Sequence, residues 1–448
     1  MDSLPVELLS CIIKHLQQWN IADQPFSQVT ETSVDGTIGW LTHTAHSRND
    51  ICGFRLLSRK CYASSSQVFG ELLGDRIFRI TKVGVDDLRA LAKQETLSPN
   101  IRTLTFGNAQ FDEPGRNEAL ARLLGRLPAA DSQRIFSTYQ EAYLGAYHFY
   151  NGGNGGTIVG ALADVFKELP NLKALRLLSH DQPDLHGDHL GGWLTRADEA
   201  LLAQAKLDGP ILTPDDISIY TVGRGGSGDM KWLAYALRDA GLHIKDLRVG
   251  GSTGILATDL ASWTCVPDKL QHVGLELDPT FVDSQSGFLT YTDTFFSKVP
   301  DIRSATLSKA YDGYTTRYAQ VTTELLDMMR PYAGLEKLTI KGEWTYTEDY
   351  IISLFHDCKS LEIFVLKGAV LWRGSWASIV KRLMTMQATK LRYLEFSYIY
   401  DRVDRLEPAF ETVTWLEFVE DVGPVIEENG KCAVYLSSAE YEYTHHAP

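Results

Sequence analysis

The chain has 448 residues, of which 44% are hydrophobic and 22% charged, and it carries a net charge of −14 at pH 7. That length exceeds one ordinary core and predicts several domains or an elongated repeat array, while the composition argues against a disordered chain. Such acidity speaks against sequence-independent nucleic-acid binding, which works by neutralising phosphates, and no apolar run approaches the ~18 residues that span a membrane.

The chain opens Met1-Asp2-Ser3-Leu4-Pro5-Val6-Glu7-Leu8-Leu9-Ser10-Cys11-Ile12-Ile13-Lys14-His15-Leu16. Ser3 or Asp2 suits a helix cap, Pro5 suits the first turn, and Glu7 favours the dipole. Apolar residues at 8, 9, 12, 13 and 16 then form one wide helical stripe that must be buried against this chain or a partner. Glu7 and Lys14 interrupt it and no basic segment leads it, so it is not read as a secretory signal. A polar stretch rich in Thr, Ser and Asp fills 17–51, and Phe54-Arg55-Leu56-Leu57-Ser58-Arg59-Lys60-Cys61-Tyr62 follows. The six cysteines (11, 52, 61, 265, 358 and 432) form no C-x-x-C pair, which fits a reducing interior better than a zinc ribbon or a disulfide scaffold. The expected location is therefore cytoplasmic or nuclear.

Further on, a pattern recurs: an aliphatic residue, another three later, and another two after that. The sets are Ile101/Leu104/Phe106, Leu172/Leu175/Leu177, Ile244/Leu247/Val249, Leu270/Val273/Leu275, Ile302/Ala305/Leu307, Leu335/Leu338/Ile340, Leu361/Phe364/Leu366 and Leu391/Leu394/Phe396. The last two positions of each read as a short half-buried strand. Helical stretches such as Ile158–Leu169, Met230–Ala240, Thr322–Met329 and Ser375–Met386 precede several of them. From Ile244 onward the sets are 26, 32, 33, 26 and 30 residues apart, one helix–strand unit each. The two earlier gaps are 71 and 72 residues, so each is expected to hold a degraded or insert-bearing repeat, with Thr138–Tyr150 and Asp216–Val222 as candidates for part of it. No such unit buries its faces alone, whereas stacked neighbours share a continuous core. Aromatics gather in the C-terminal half (Trp344, Tyr346, Trp372, Trp376, Tyr393, Phe396, Tyr398 and Tyr400), where some are core and others could line a recognition surface. The 412–443 region reads as an acidic-faced helix and a strand closing the array, and 444–448 as a tail.

Catalytic and cofactor signatures are weak. Gly223-Arg224-Gly225-Gly226-Ser227-Gly228-Asp229 lacks the Lys-Ser/Thr ending of a phosphate loop, and it and the glycine cluster at 152–156 read as loops between units. His186, Asp188 and His189, or His43, His46 and Cys52, could ligate a metal but lack a supporting second cluster. No G-x-S-x-G elbow occurs, and no acid/base pair stands out. The chain is therefore read as a non-enzyme with no cofactor and no bound metal.

Leu4-Pro5-x-Glu7-Leu8-Leu9-x-x-Ile12-Ile13-x-x-Leu16 resembles the opening helix of an F-box, and Phe54–Tyr62 is similar to that family's Leu-Arg-Leu-Val-Ser-Arg segment. The recurrent sets resemble a leucine-rich repeat, without the asparagine expected after each strand. The layout thus resembles fungal F-box proteins with divergent leucine-rich repeats. The resemblance implies an α/β fold, with an N-terminal F-box-like helical module at 1–80, its insert at 17–51, and an irregular leucine-rich-repeat solenoid over 81–443. It implies docking on the Skp-type adaptor of a cullin-based ubiquitin ligase, with the repeats binding a protein target and neither nucleic acid nor membrane involved. Adaptor contact is then expected from Leu4, Pro5, Leu8, Leu9, Ile12, Leu56 and Leu57. Cys61 stands where the family carries a large aromatic, with Tyr62 beside it as the substitute. The alternatives are a repeat scaffold without a ligase connection and an α/β hydrolase.

Overall fold

Pro5, with φ −58° and ψ 150°, is the last non-helical residue before α1 (Val6–His15), and no side chain caps that helix. The helix therefore starts after Pro5 instead of enclosing it behind a Ser3 or Asp2 cap. Next comes α2 (Ala45–Leu56), capped by Thr44, whose hydroxyl accepts from the Ser47 amide at 3.1 Å. Ser58 breaks the chain and caps α3 (Arg59–Ser64) by accepting from the Cys61 amide at 3.2 Å, and α4 (Ser66–Leu72) follows. The segment Phe54–Tyr62 is thus a helix end, a turn and a new helix. The second helical part begins at Ala45, so the insert is shorter than the expected 17–51.

The computed structural model describes residues 4–18, 43–107, 109–111, 113–115, 118–151, 156–178, 220–222, 226–249, 260, 262–263, 269–277, 292–309, 327–386, 390–397, 399–402, 410–412, 422, 426, 432–437 and 442–445. The chain divides into two units, Met1–Thr253 and Gly254–Pro448, each mixed α/β with a parallel sheet. The four N-terminal helices share the first unit with its strands.

In the first unit, α4 is followed by a 3-10 turn at Leu73–Asp75, then β1 (Ile77–Arg79), α5 (Lys82–Ala92), β2 (Thr103–Gly107) and β3 (Ala109–Phe111). Next come α6 (Glu118–Gly125), α7 (Ala129–Asn151), α8 (Gly156–Lys167), β4 (Ala174–Leu178), β5 (Tyr220–Val222), α9 (Gly226–Ala240) and β6 (Asp246–Val249). Strands β1, β2, β4 and β6 are parallel neighbours in that order. Because β2 pairs directly with β4, and β4 with β6, the two long gaps place no further strand between them. Thr138–Tyr150 is instead part of the helix α7, and Tyr220–Val222 pairs antiparallel with β3 in a separate ribbon. Of the two alternatives for each gap, an insert-bearing repeat therefore fits, and neither candidate segment is a degraded strand of the parallel sheet. Helix α4 lies against the turn before β2 so closely that a Cβ on Gly70 would stand 2.5 Å from Asn100 Cβ.

The second unit contains β7 (His272–Leu277), β8 (Ser304–Lys309), β9 (Lys337–Thr347), α10 (Glu348–Asp357), β10 (Ile363–Arg373), α11 (Trp376–Thr385) and β11 (Tyr393–Ser397). It continues with β12 (Tyr400–Arg402), β13 (Phe410–Thr412), β14 (Ala433–Ser437) and β15 (Glu442–His445). Strands β7 to β11 and β14 are parallel neighbours, and β15 closes the edge antiparallel to β14, with His445 opposite Val434. Residues 444–445 are therefore strand and not tail. Of the expected 412–443 elements the strand is β14; Val422 and Ile426 are buried, and most of the helix falls outside the described residues.

Every residue of the eight recurrent sets is buried, none more than 7% exposed. Pairing aligns them: Leu104, Leu175 and Leu247 form one row of the first unit. Val273, Ala305, Leu338, Phe364, Leu394 and Val434 form one of the second. Helices cover this face, as Phe166 of α8 meets Phe106 edge-on and Trp376 of α11 lies 5.2 Å from Phe396. A backbone device recurs with the rows: the carbonyls of Arg102, Lys173, Gln271, Arg303, Glu336 and Glu362 each accept from two consecutive amides at the start of the next strand. Each strand start is thereby pinned to its predecessor.

Candidate functional site

On α1, successive side chains turn by about 100°, so Leu9 and Ile13 share a face that Leu8 does not. Leu9 and Ile13 are fully buried with Ile51, Phe54, Cys61, Val68 and Leu72, and Leu4, Ile12 and Leu16 pack partly against them. Leu8 is left 51% exposed, Leu57 58% and Leu56 86%, with Pro5, Val6 and Tyr62 also exposed. The Lys60 ammonium donates to the Leu4 carbonyl, which holds the start of α1 against the α2–α3 turn carrying Leu56 and Leu57. Leu8, Leu56 and Leu57 thus stand exposed on a frame whose Leu9, Ile13, Ile51 and Phe54 are buried.

Of the seven residues expected to face a partner, Pro5, Leu8, Leu56 and Leu57 are available, and Leu4 and Ile12 are half-buried. Leu9 is corrected: it belongs to the core. Cys61 is corrected too, because its small thiol fills a buried position while Tyr62 points outward and substitutes for nothing inside. Tyr62 serves another role. Arg55, only 6% exposed, is held between the rings of Tyr62 and Phe69, its guanidinium carbon 4.0 Å from each centroid. It also donates to Ser65 Oγ at 3.0 Å and to the Tyr62 carbonyl at 3.3 Å. Burial lowers its pKa, while Tyr62 works in the opposite direction. Val6, Tyr62 and Arg55 were missing from the expected set; the cation–aromatic spacing 55, 62, 69 was the only sequence signal for the last.

His43 does not join a metal site with His46 and Cys52. Its ring Nδ1 lies 2.7 Å from Asp75 Oδ2, and its backbone N–H donates to the same oxygen at 2.8 Å. Arg176 on β4 reaches the other Asp75 oxygen at 3.4 Å, and all three residues are buried. The beginning of α2, the end of α4 and the sheet are thereby tied through one carboxylate. Burial presses the Arg176 pKa down to about 10 against the attraction of Asp75. Burial also pushes Asp246, on the neighbouring strand, up to about 7 although Arg176, Lys245 and Lys173 work against that rise. His46 instead pairs on the surface with Asp50 at 3.2 Å, and no metal-holding group of His, Cys, Asp or Glu exists among the described residues. The His186–His189 cluster and residues 223–225 fall outside those residues, whereas Gly226 already begins α9 and Gly156 begins α8.

The other face of the second sheet mixes polar residues with the buried Ile363 and Val365 of β10. Ser304 precedes Lys337 and Tyr393 along one row, Thr339 and Glu395 share a second, and Ser308, Lys341, Lys367 and Ser397 share a third. Glu395 is buried; it accepts from Tyr393 Oη at 2.9 Å and Ser397 Oγ at 2.7 Å, and meets Lys367 Nζ at 3.0 Å. Burial foremost, with the charge of Lys341, presses the Lys337 pKa down to about 8 against the pull of Glu395. Among the aromatics offered for recognition, Trp344, Tyr346, Trp376, Tyr393 and Phe396 are buried; Trp372 is exposed, and Tyr398 lies outside the described residues. Among the described residues no helix is long and apolar enough to cross a membrane. Compared with known proteins, the chain matches no family model and no curated protein.

Proposed function

We propose that this protein is the substrate-recognition subunit of an SCF-type ubiquitin ligase, a non-enzymatic receptor acting in the cytoplasm or nucleus. The helical module carries the F-box role and docks on a Skp-type adaptor; the strand–helix array is a divergent leucine-rich-repeat solenoid that binds the protein target. The observation carrying the first half is the exposed apolar set Pro5, Val6, Leu8, Leu56 and Leu57 on a module whose Leu9, Ile13, Ile51, Phe54, Val68 and Leu72 are buried. In-register burial of all eight recurrent sets supports the second half.

Truncating a central apolar anchor weakens an interface by ~2 kcal/mol or more, about thirtyfold in affinity. The full chain, mixed with purified Skp-type adaptor, is expected to co-elute with it, and Leu8→Ala with Leu56→Ala to lose that co-elution at an unchanged melting temperature. Failure of the unaltered chain to capture the adaptor rejects the ligase reading.

A further inference from the structure

The residues just before successive parallel strands share one register row, linked amide to carbonyl from strand to strand. In the second unit that row runs Gln271, Arg303, Glu336, Glu362, Arg392, and its charges neutralise one another: Arg303 meets Glu336 at 3.7 Å and Arg392 pairs with Glu362. In the first unit the same row is Arg102, Lys173 and Lys245, three cations on three neighbouring strands. Backbones one strand apart lie about 4.8 Å from each other, so this row runs about 10 Å from end to end. Like charges side by side are destabilising, and an anion laid along them relieves the repulsion. Arg102 is exposed, Lys173 and Lys245 are partly exposed, and among the described residues none of the three forms an ion pair. Asp246 does feel Lys245 and Lys173, but it is buried, Arg176 acts on it more strongly than either lysine, and burial holds its carboxyl up at about 7. A chain with a net charge of −14 thus keeps three cations in line at one end of a sheet.

The shape of the row selects its ligand. A single phosphate needs donors that converge on it, whereas cations strung along about 10 Å meet charges that are themselves strung along a chain. Nucleic acid is such a chain, but its affinity comes from neutralising more phosphates than three cations can serve. An extended peptide spaces its side chains about 3.4 Å apart, so about four acidic residues span the row. We propose that Arg102, Lys173 and Lys245 form a docking row for a short segment of the bound protein target that is rich in Asp and Glu. The proposal rests on the target-binding reading of the repeats and does not involve adaptor docking.

The test uses the full chain, without adaptor, and a fluorescein-labelled hexaglutamate peptide, with labelled hexaglutamine as the neutral control. Hexaglutamate should bind saturably and hexaglutamine should not, and raising salt from about 50 to about 300 mM should weaken the binding about fivefold or more. Lys173→Glu sets an anion between two cations, the alternation already present in the second unit, so hexaglutamate binding should be lost while the melting temperature holds or rises. Arg102→Gln with Lys245→Gln should lower affinity about tenfold or more, whereas Lys231→Gln, an exposed lysine on α9, should leave it unchanged. Arg102→Gln alone, with its melting temperature recorded, decides the matter if neither of the other row variants folds. No hexaglutamate binding, or equal binding by the folded row variants and Lys231→Gln, overturns the docking row. So does displacement by millimolar inorganic phosphate at constant ionic strength, the mark of a site for one convergent anion. An adaptor that still co-elutes in that case leaves the ligase reading standing.

Discussion

Leu8 and Leu9 are chemically identical neighbours with opposite fates. Leu9→Ala removes a fully buried side chain from the cluster of Ile13, Phe54 and Leu72, and is expected to cost ~2–5 kcal/mol, read as a lower denaturation midpoint of the first unit. Leu56→Ala removes a side chain 86% exposed and is expected to leave stability within ~0.5 kcal/mol while weakening adaptor capture. Asp246 invites a pH measurement. Its carboxyl, ordinarily at 3.8, is raised to about 7 by burial, so the unfolded chain ionises it first as pH rises. Its unfavourable contribution is absent below about pH 4, grows between there and pH 7, and is complete above. Asp246→Asn should therefore flatten the fall of stability across that window relative to the unaltered chain; parallel profiles would remove Asp246 as the cause. None of these distinctions lies in residue type, because each depends on what the fold places next to the side chain.

The caps show how elements secure one another. Glu348 opens α10, yet its side chain serves the neighbouring helix: it accepts from the Ser375 amide at 3.1 Å, from Ser378 Oγ at 2.6 Å and from Arg382 at 2.9 Å. Partial burial opposes its charge, but those hydrogen bonds outweigh it and hold the carboxyl below its ordinary range. Gly374, just before α11, has φ +107°, and a Cβ there would lie 2.4 Å from Glu348 Cβ. Glu348→Ala is expected to cost ~1–2 kcal/mol through the lost cap, and Gly374→Ala ~1–3 kcal/mol through backbone strain and the clash. Both should lower the thermal midpoint followed by circular dichroism, and an unchanged midpoint for Gly374→Ala would show that the loop yields instead. Ser375 as the start of α11 was readable from its position before an apolar helical stripe. The carboxylate arriving from β9's far end was not, since it lies 27 residues away.

At the scale of each unit, the apolar rows hold strand to strand and helix to sheet. Phe364 stands in the middle of its row, edge-on to both Phe355 and Phe396. Phe364→Ala is expected to cost ~3–5 kcal/mol and to lower the unfolding midpoint of the second unit, with adaptor capture by the first unit retained. The rows were legible in advance because a period of two within the strand, plus an anchor three residues earlier, leaves few ways to bury all three side chains. The opposite face was not legible. Arg176 and Glu395 fall at positions a strand pattern reads as solvent-facing, and only strand pairing turns them into buried contacts.

Sequence alone determined the recurrent core, the mixed α/β character and the presence of an amphipathic first helix, because hydrophobic spacing is a local property of the chain. Tertiary structure decided three further matters: that the long gaps add no strand to the parallel sheet, that Leu9 turns inward while Leu8, Leu56 and Leu57 stay out, and that Asp75 ties α2 to the sheet. Each depends on contacts between residues distant in the chain, such as Asp75 with Arg176, 101 positions apart. Such contacts form only when several elements have already packed, and no periodicity records them.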